Sequence, residues 1–381
     1  MKTNRRRRIP MKLSSHDMLK RRFVAFALLQ AFLLCLAIFL SINYFGSDIW
    51  EKRDAVGLIL ASPKDAPGWP REMAQGLQKA CNARSFNLYI EDNVNSDDNS
   101  LAQVTENLVN KGVKKIFLAN PGYQHNLEGI ALRYPQVEFY ANSVGETISD
   151  RMFNYSMRYH EVRYMAGILA GLHSKSGIVG YLAPFPALET RRDVNAFALG
   201  VLKVRPEARI LVQWTGQWIS PEKENKALYI LKHEGADVIT YFAASQHIAQ
   251  EAAGLGLDYI DFHAAGLNAS SHCIASVETD WQKVYDKLLH SSGRKTANKV
   301  YWQGMLDEVI NLRLSPGLTP REEALVLRAR QELLQGYPVF SGNIVDREGH
   351  VRCREGEVIA NNSLREKMDW LVKGVEIIEA K

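Results

Sequence analysis

Short apolar runs alternate with helix-period segments twice over in this chain, and few folds accept that order. The first series runs AVGLILAS (55–62), FNLYIED (86–92), KKIFLAN (114–120) and VEFYANS (137–143), with helical segments at 69–84, 99–112 and 124–135 between them. In the second of these helices Leu101, Val104, Leu108 and Val109 form an apolar side and Gln103, Asn107 and Asn110 a polar one. A new series starts after Tyr155. A helix at 159–175 leads to strands GIVGYLAPF (177–185), RILVQWTG (209–216), DVITYFAA (237–244) and DYIDF (258–262), separated by helices at 187–206, 221–235 and 247–256. Strands that alternate with helices are covered on both faces and pair in parallel. The expectation is an α/β protein of two doubly wound parallel-sheet lobes with a hinge. From about 273 the order changes: a strand at 272–280, a helix from Asp280, a hairpin-like pair at 299–315, a charged helix at 319–336, a hairpin around Val345–Gly349 and a final helix at 361–378.

Ahead of the alternation lies FVAFALLQAFLLCLAIFLSINYF, Phe23–Phe45, interrupted only by Gln30, Ser41 and Asn43. At ~1.5 Å rise per residue this stretch spans roughly 34 Å, enough to cross a bilayer. A secretory signal has an apolar core of only about 7–15 residues and a small-residue cleavage site, which SINYFGS does not supply. Cys35 lacks the small residues that precede a lipidated cysteine. The segment reads as a signal anchor. Residues 1–22 form a cytoplasmic basic arm, 23–45 the single transmembrane helix in the inner (cytoplasmic) membrane, and 46–381 an extracytoplasmic, periplasmic body. Within that body lobe 1 takes 54–157 plus about 273–310, and lobe 2 takes 158–272 plus about 311–381. The chain would cross between them near 156–158, 270–273 and 310–315.

The net charge of +5 misleads, because residues 1–22 carry nine Lys/Arg against Asp17 alone. That arm holds +8, so the rest carries about −3, and a slightly acidic body excludes nucleic acid as a partner. Three cysteines outside the membrane segment (81, 273, 353), odd in number and irregular in spacing, argue against a disulfide framework or a metal site; one pair could be bridged, but the simpler reading is small buried apolar residues. There is no P-loop and no GxSxG. Gly254-Leu255-Gly256 precedes a strand rather than a helix, His160-Glu161 lacks the second His of a zinc-protease motif, and ten histidines show no ligand spacing. The chain reads as no enzyme, with no cofactor and no metal. Asp97-Asp98 reads as a helix cap.

Aromatic residues mark the strand-to-helix corners instead. Trp69 opens the first helix after Gly68, Tyr123 follows LANPG, Phe185 follows LAP, and Trp218 lies beyond WTG. Ligands bind at such corners in open α/β sheets, so these four point to a cleft lined for stacking a planar ligand. In VQWTGQWISPEKEN, Trp214 lies within the strand as a packing residue, while Trp218 lies past the turn; Ser220 caps the next helix with Pro221 at its first position.

The segments EVRYMAGILAGLHSKSGIVGYLAPFPALETRRDVNAFALGVLKVRPEARILVQWTGQWISPEKE and DAPGWPREMAQGLQKA closely resemble the basic membrane protein (BMP) family. GADVIT, VYWQGM and the tail PVFSGNIVDREGHVRCREGEVI extend the resemblance over roughly Ala55 to Ile377. It implies a type I periplasmic-binding-protein fold. Members are substrate-binding lipoproteins of nucleoside ABC importers, and the membrane-anchored regulator Med belongs with them. By that resemblance Trp69 and Trp218 sandwich a nucleobase and Asp65 supplies a polar contact. Two positions depart. Phe242-Ala243-Ala244-Ser245 replaces a His-Thr-Asp-Ser type turn, which puts Ala244 where a polar contact is expected. His263 fills the slot of a ribose-gripping acid, with Asp261 two places early. No counterpart of a ligand-binding lysine exists, since Glu278-Thr279-Asp280-Trp281 fills that region. The implied protein is a membrane-anchored extracytoplasmic solute-binding protein that holds a small nucleoside-like ligand and serves ABC permease subunits. The alternative is an anchored regulator that has lost or changed ligand binding and acts on a membrane sensor.

Overall fold

The computed structural model describes residues 15–49, 54–145, 150–243, 247–262, 270–291 and 300–378. The chain divides into two units, before and after Asp54. The first contains one helix, α1 (Ser15–Ile49), whose stretch Arg22–Ser41 is long and apolar enough to cross a membrane. Its apolar side chains are exposed along the whole stretch, Phe23 at 78 % and Leu34 at 64 %. A helix that is apolar all round requires an apolar surrounding.

The second unit begins with β1 (Ala55–Ile59), α2 (Trp69–Ala83), β2 (Asn87–Glu91), α3 (Asp98–Asn110), β3 (Val113–Leu118), α4 (Gln124–Arg133), β4 (Glu138–Asn142) and β5 (Met152–Met157). It continues with α5 (Tyr159–His173), β6 (Ile178–Ala183), α6 (Leu188–Val204), β7 (Arg209–Trp214), α7 (Pro221–His233), β8 (Val238–Tyr241), α8 (His247–Gly254), β9 (Asp258–Phe262) and β10 (Cys273–Thr279). Then come α9 (Trp281–Ser291), β11 (Val300–Gln303), β12 (Ile310–Leu314), α10 (Pro320–Leu334), a small hairpin of β13 (Ile344–Val345) and β14 (Val351–Cys353), α11 (Asn361–Glu366) and β15 (Val375–Ile377).

Two sheets define two lobes. Lobe 1 has the order β11-β5-β4-β3-β1-β2, parallel throughout. Lobe 2 has the order β12-β10-β9-β8-β6-β7-β15, parallel except for β12, which runs antiparallel to β10. In each lobe the strand order reverses beside its first strand, β1 or β6. The loops leaving the carboxyl ends of those strands therefore open a crevice. Helices α5 and α6 pack very closely: a Cβ on Gly167 would lie 2.0 Å from the Phe197 carbonyl oxygen, and one on Gly200 2.1 Å from that of Tyr164.

Three readings of the later chain are corrected by the topology. The strand at 273–279, assigned above to lobe 1, lies in lobe 2 between β9 and β12. Cys273 to Val277 are all buried, which requires a central place in a sheet with both faces covered. The pair at 299–315 is no hairpin: β11 joins β5 in lobe 1 and β12 joins β10 in lobe 2, so the link between them is a crossing. The final helix stops at Glu366. Gly374, at φ +98°, turns the chain into β15 beside β7. The chain passes between the lobes after Met157, as expected, but the other two crossings fall after Thr279 and between Gln303 and Ile310 rather than near 270–273 and 310–315, because β10 and β12 both belong to lobe 2. Cys81, Cys273 and Cys353 are free and buried.

Candidate ligand-binding site

The crevice is lined with rings from both lobes. Lobe 1 contributes Trp69, the first residue of α2, placed there by Gly68 at φ +86° and followed by Pro70. From lobe 2 come Phe185 after β6, Trp218 after β7, Phe242 after β8 and Phe262 at the end of β9, with Tyr159 opening α5. Trp69 meets Trp218 at a centroid separation of 5.9 Å, Phe242 at 5.3 Å and Phe262 at 5.6 Å. Trp218 in turn meets Phe242 at 5.8 Å and Phe185 at 6.2 Å. These are direct edge and tilted contacts between neighbouring rings. Tyr159 packs on Phe262 at 5.2 Å and exchanges a hydrogen bond of 2.9 Å with Thr279, which ties two of the interlobe crossings together.

A fully buried guanidinium backs this floor. Arg163 of α5 lies 4.5 Å from the Phe262 ring centre and 5.9 Å from that of Phe242. It donates to Thr240 Oγ1 (2.9 Å) and the Tyr241 carbonyl (2.8 Å). A desolvated cation against ring faces fixes both rings in place.

Beside the rings is a cavity of about 90 Å³. Its polar wall includes Asn142 at the end of β4, Ser143 after it, Ser156 on β5, and Glu189, Arg192 and Asp193 on α6. Asp193 is buried, and burial pushes its carboxyl up to about 6 against the opposing pull of Arg192 and Arg163. Burial also lowers the Arg192 guanidinium, whose Nη1 donates to the Leu364 carbonyl at 3.1 Å. Two guanidinium groups approach the Trp302 ring, Arg192 at 5.0 Å and Arg158 at 4.4 Å from its centre, and His160 packs on it at 5.2 Å. Burial, then Arg192 and Arg158, hold His160 well below its ordinary value, so it is neutral.

The predicted site residues separate on this geometry. Trp69 and Trp218 come together from opposite lobes, with Phe185 at the rim, 40 % exposed. Tyr123 does not join them. It is wholly buried in the lobe 1 core and donates its hydroxyl to the Val94 carbonyl at 2.7 Å, so it has no face left for a ligand. Asp65 is exposed on the β1–α2 loop, where its carbonyl takes two hydrogen bonds from Arg71, and it is not part of the cavity wall. Ala244 and His263 lie outside the described residues. Asp97 caps α3 by accepting from Ser100 N at 2.9 Å. Ser220 caps α7 with its backbone alone, the Glu224 carboxylate reaching back to Ser220 N at 2.9 Å.

Phe242, Phe262, Tyr159 and Asp193 had not been assigned to the site. Phe242 stands in the sequence as the replacement of an expected polar residue, and Phe262 only as the last residue of the DYIDF strand. Their meaning follows from β8 and β9 lying at neighbouring positions, which brings the rings to 5.0 Å. Asp261 is engaged internally: its carboxylate takes the Tyr241 hydroxyl and, at 2.8 Å, Phe262 N.

Two parallel-sheet lobes joined by three crossings, with an aromatic crevice at the carboxyl ends of the strands, define a two-lobed solute-binding protein. Residues 54–335 match the Bmp family, described as ABC transporter substrate-binding protein PnrA-like, and the chain belongs to that family. It is therefore a binding protein and not an enzyme, and residues from 54 onward form an extracytoplasmic substrate-binding domain. A purine-binding protein of Brucella abortus is 26 % identical over 340 residues, 86 % of this chain and 94 % of its own length. A Haloferax volcanii protein named as an ABC transporter glucose-binding protein is 29 % identical over 279 residues, 72 % of this chain and 68 % of its own. The fold matches a transcriptional activator of the comK gene from Bacillus halodurans with a TM-score of 0.66 at 20 % identity, over 74 % of this chain and 98 % of that one. A solute-binding protein of an ABC transporter system from Conexibacter woesei matches at 0.60 and 16 %, over 74 % and 97 %.

Proposed function

We propose that this chain is a membrane-anchored extracytoplasmic receptor that captures a small planar, nucleoside-like solute between its lobes and hands it to ABC permease subunits. The observation that carries this reading is the set of rings drawn from both lobes onto one small polar cavity. Rings gathered in this way favour a ligand with a flat face, and the few polar groups beside them would set its orientation. The purine-binding relative supports the same class of ligand, while the glucose-binding name makes a hexose the control solute. The apolar helix α1 and the basic arm before it support an anchor with its N-terminus in the cytoplasm. Calorimetric titration of the full chain in detergent with nucleobases, nucleosides and glucose tests the reading; saturable binding of a planar solute is expected, and heat from glucose alone would overturn it.

The direct Trp69–Trp218 contact favours a second reading, an anchored regulator that no longer takes a ligand. Rings that close admit no third ring between them, so a stacked ligand requires the lobes to part about their hinge. Crosslinking in membranes separates the two: permease subunits as neighbours support transport, a sensor protein supports regulation.

A further inference from the structure

Helix α6 turns Glu189, Arg192 and Asp193 toward the cavity. Asp193 and Arg192 are each only 2 % exposed, yet Asp193 Oδ1 and Arg192 Nε have no hydrogen-bond partner. More than about nine-tenths of buried polar atoms in folded proteins are paired, because an unpaired one forfeits its hydration for nothing. Here an acceptor and a donor are both left over on consecutive residues that line one cavity. Among the described residues no ion pair joins them. Arg163, the other cation acting on Asp193, has its two Nη atoms engaged by Thr240 and the Tyr241 carbonyl, and its Nε has no partner.

What complements this wall is a flat ring that carries an N–H donor and a ring acceptor. With Trp69 and Trp218 in contact the cavity is about 90 Å³, small beside the roughly 300–1,000 Å³ of common ligand pockets, so parting the rings makes room for a flat ring before it makes room for a sugar as well. Asp261, on β9, is only 3 % exposed, and its Oδ1 already takes both the Tyr241 hydroxyl and Phe262 N, so it offers little to a sugar diol. We infer that the preferred ligand is a sugar-free N-heterocycle of nucleobase size, whose ring N–H is accepted by Asp193 and whose ring acceptor takes a hydrogen bond from Arg192. The inference rests on the solute-binding reading above and names the class of solute for it.

The test is calorimetric titration of the full chain in detergent with purine bases, their N9-ribosides and singly N-methylated bases, on the native protein and on Asp193→Asn. Bases are expected to bind at least tenfold more tightly than their ribosides. Asp193→Asn should weaken base binding by at least tenfold, the loss typical of a hydrogen bond to a charged group. One N-methylated isomer should suffer the same loss on the native protein and no further loss on the variant. If neither bases nor ribosides bind, solute binding itself fails. If ribosides bind as tightly as bases, or the variant binds as the native protein does, this inference fails while solute binding stands. A readout independent of the variant's folding is the native protein's affinity for a base that does not itself titrate between pH 5 and 8. The charged and titratable groups facing Asp193 are Arg192 and Glu189 on its own helix, Arg163 and Tyr159 on α5 and Tyr181 on β6. Protonation of the carboxyl removes its charge and turns one oxygen into a donor, which weakens the hydrogen bond it accepts, so affinity should fall as pH drops through about 6; a flat profile contradicts the inference.

Discussion

Trp69, in the first turn of α2, and Trp218, beyond the end of β7, meet across the two lobes with ring centroids 5.9 Å apart and planes inclined at 49°. Each also touches Phe242, so three rings form one closed contact that spans the crevice. A ligand that enters exchanges ring–ring contact for ring–ligand contact, and the hinge crossings supply the freedom to do so.

Removal of one of these rings should weaken binding without unfolding the body. Trp218 is half-buried at a loop, and base stacking on such a ring is worth ~1–3 kcal/mol. Trp218→Ala should therefore raise the dissociation constant of a planar ligand roughly 5- to 150-fold in calorimetry. Unchanged affinity would show that the ring is a latch only.

Tyr123 makes the opposite case. Tyr123→Phe removes the hydrogen bond to the Val94 carbonyl inside the lobe 1 core. Stability should fall by about 1 kcal/mol in urea unfolding, while ligand affinity stays unchanged. A loss of affinity with stability intact would return Tyr123 to the cleft.

Asp193 should make stability depend on pH with an unusual sign. Its folded-state carboxyl is raised from 3.8 to about 6, so the folded state holds the proton more tightly than the unfolded one. The group therefore costs stability above about pH 6, and the cost disappears as pH falls below about 4. The shift corresponds to on the order of 3 kcal/mol. Asp193→Asn should raise the melting temperature at pH 8 and have little effect at pH 4; equal effects at both would contradict the account.

The close approach of α5 and α6 gives a steric prediction. A methyl group at Gly167 would overlap the Phe197 carbonyl, so Gly167→Ala should destabilise by ~3 kcal/mol or more. Gly129 in α4 has nothing within 4 Å of its Cβ position, and Gly129→Ala should stabilise by about 0.5–1 kcal/mol. Thermal unfolding of the pair checks both signs.

Lobe architecture was legible because the strands are short Val/Ile/Leu-rich runs bounded by Gly, Pro and polar turns. DYIDF, for instance, coincides with β9. What failed was non-local. Nothing in the Cys273–Thr279 run says which sheet will accept it, and 299–315 reads as a hairpin-like pair although it carries the chain from one lobe to the other. The tryptophans were visible because they follow strands. Tyr123 follows a strand as well, but its hydroxyl finds a carbonyl inside the lobe. Asp193 passes in sequence for an ordinary polar residue of a helix. Its spacing four residues from both Glu189 and Phe197 puts it on one face with them, yet only the packing of α6 makes that face a cavity wall.

The most direct test is mass spectrometry of what the full chain, purified without denaturation, releases from its cleft. The account predicts a small planar heterocycle in near-equimolar amount, absent from Trp218→Ala purified in parallel. A cleft that releases nothing, in a protein that also takes up no nucleobase or nucleoside in titration, would contradict it.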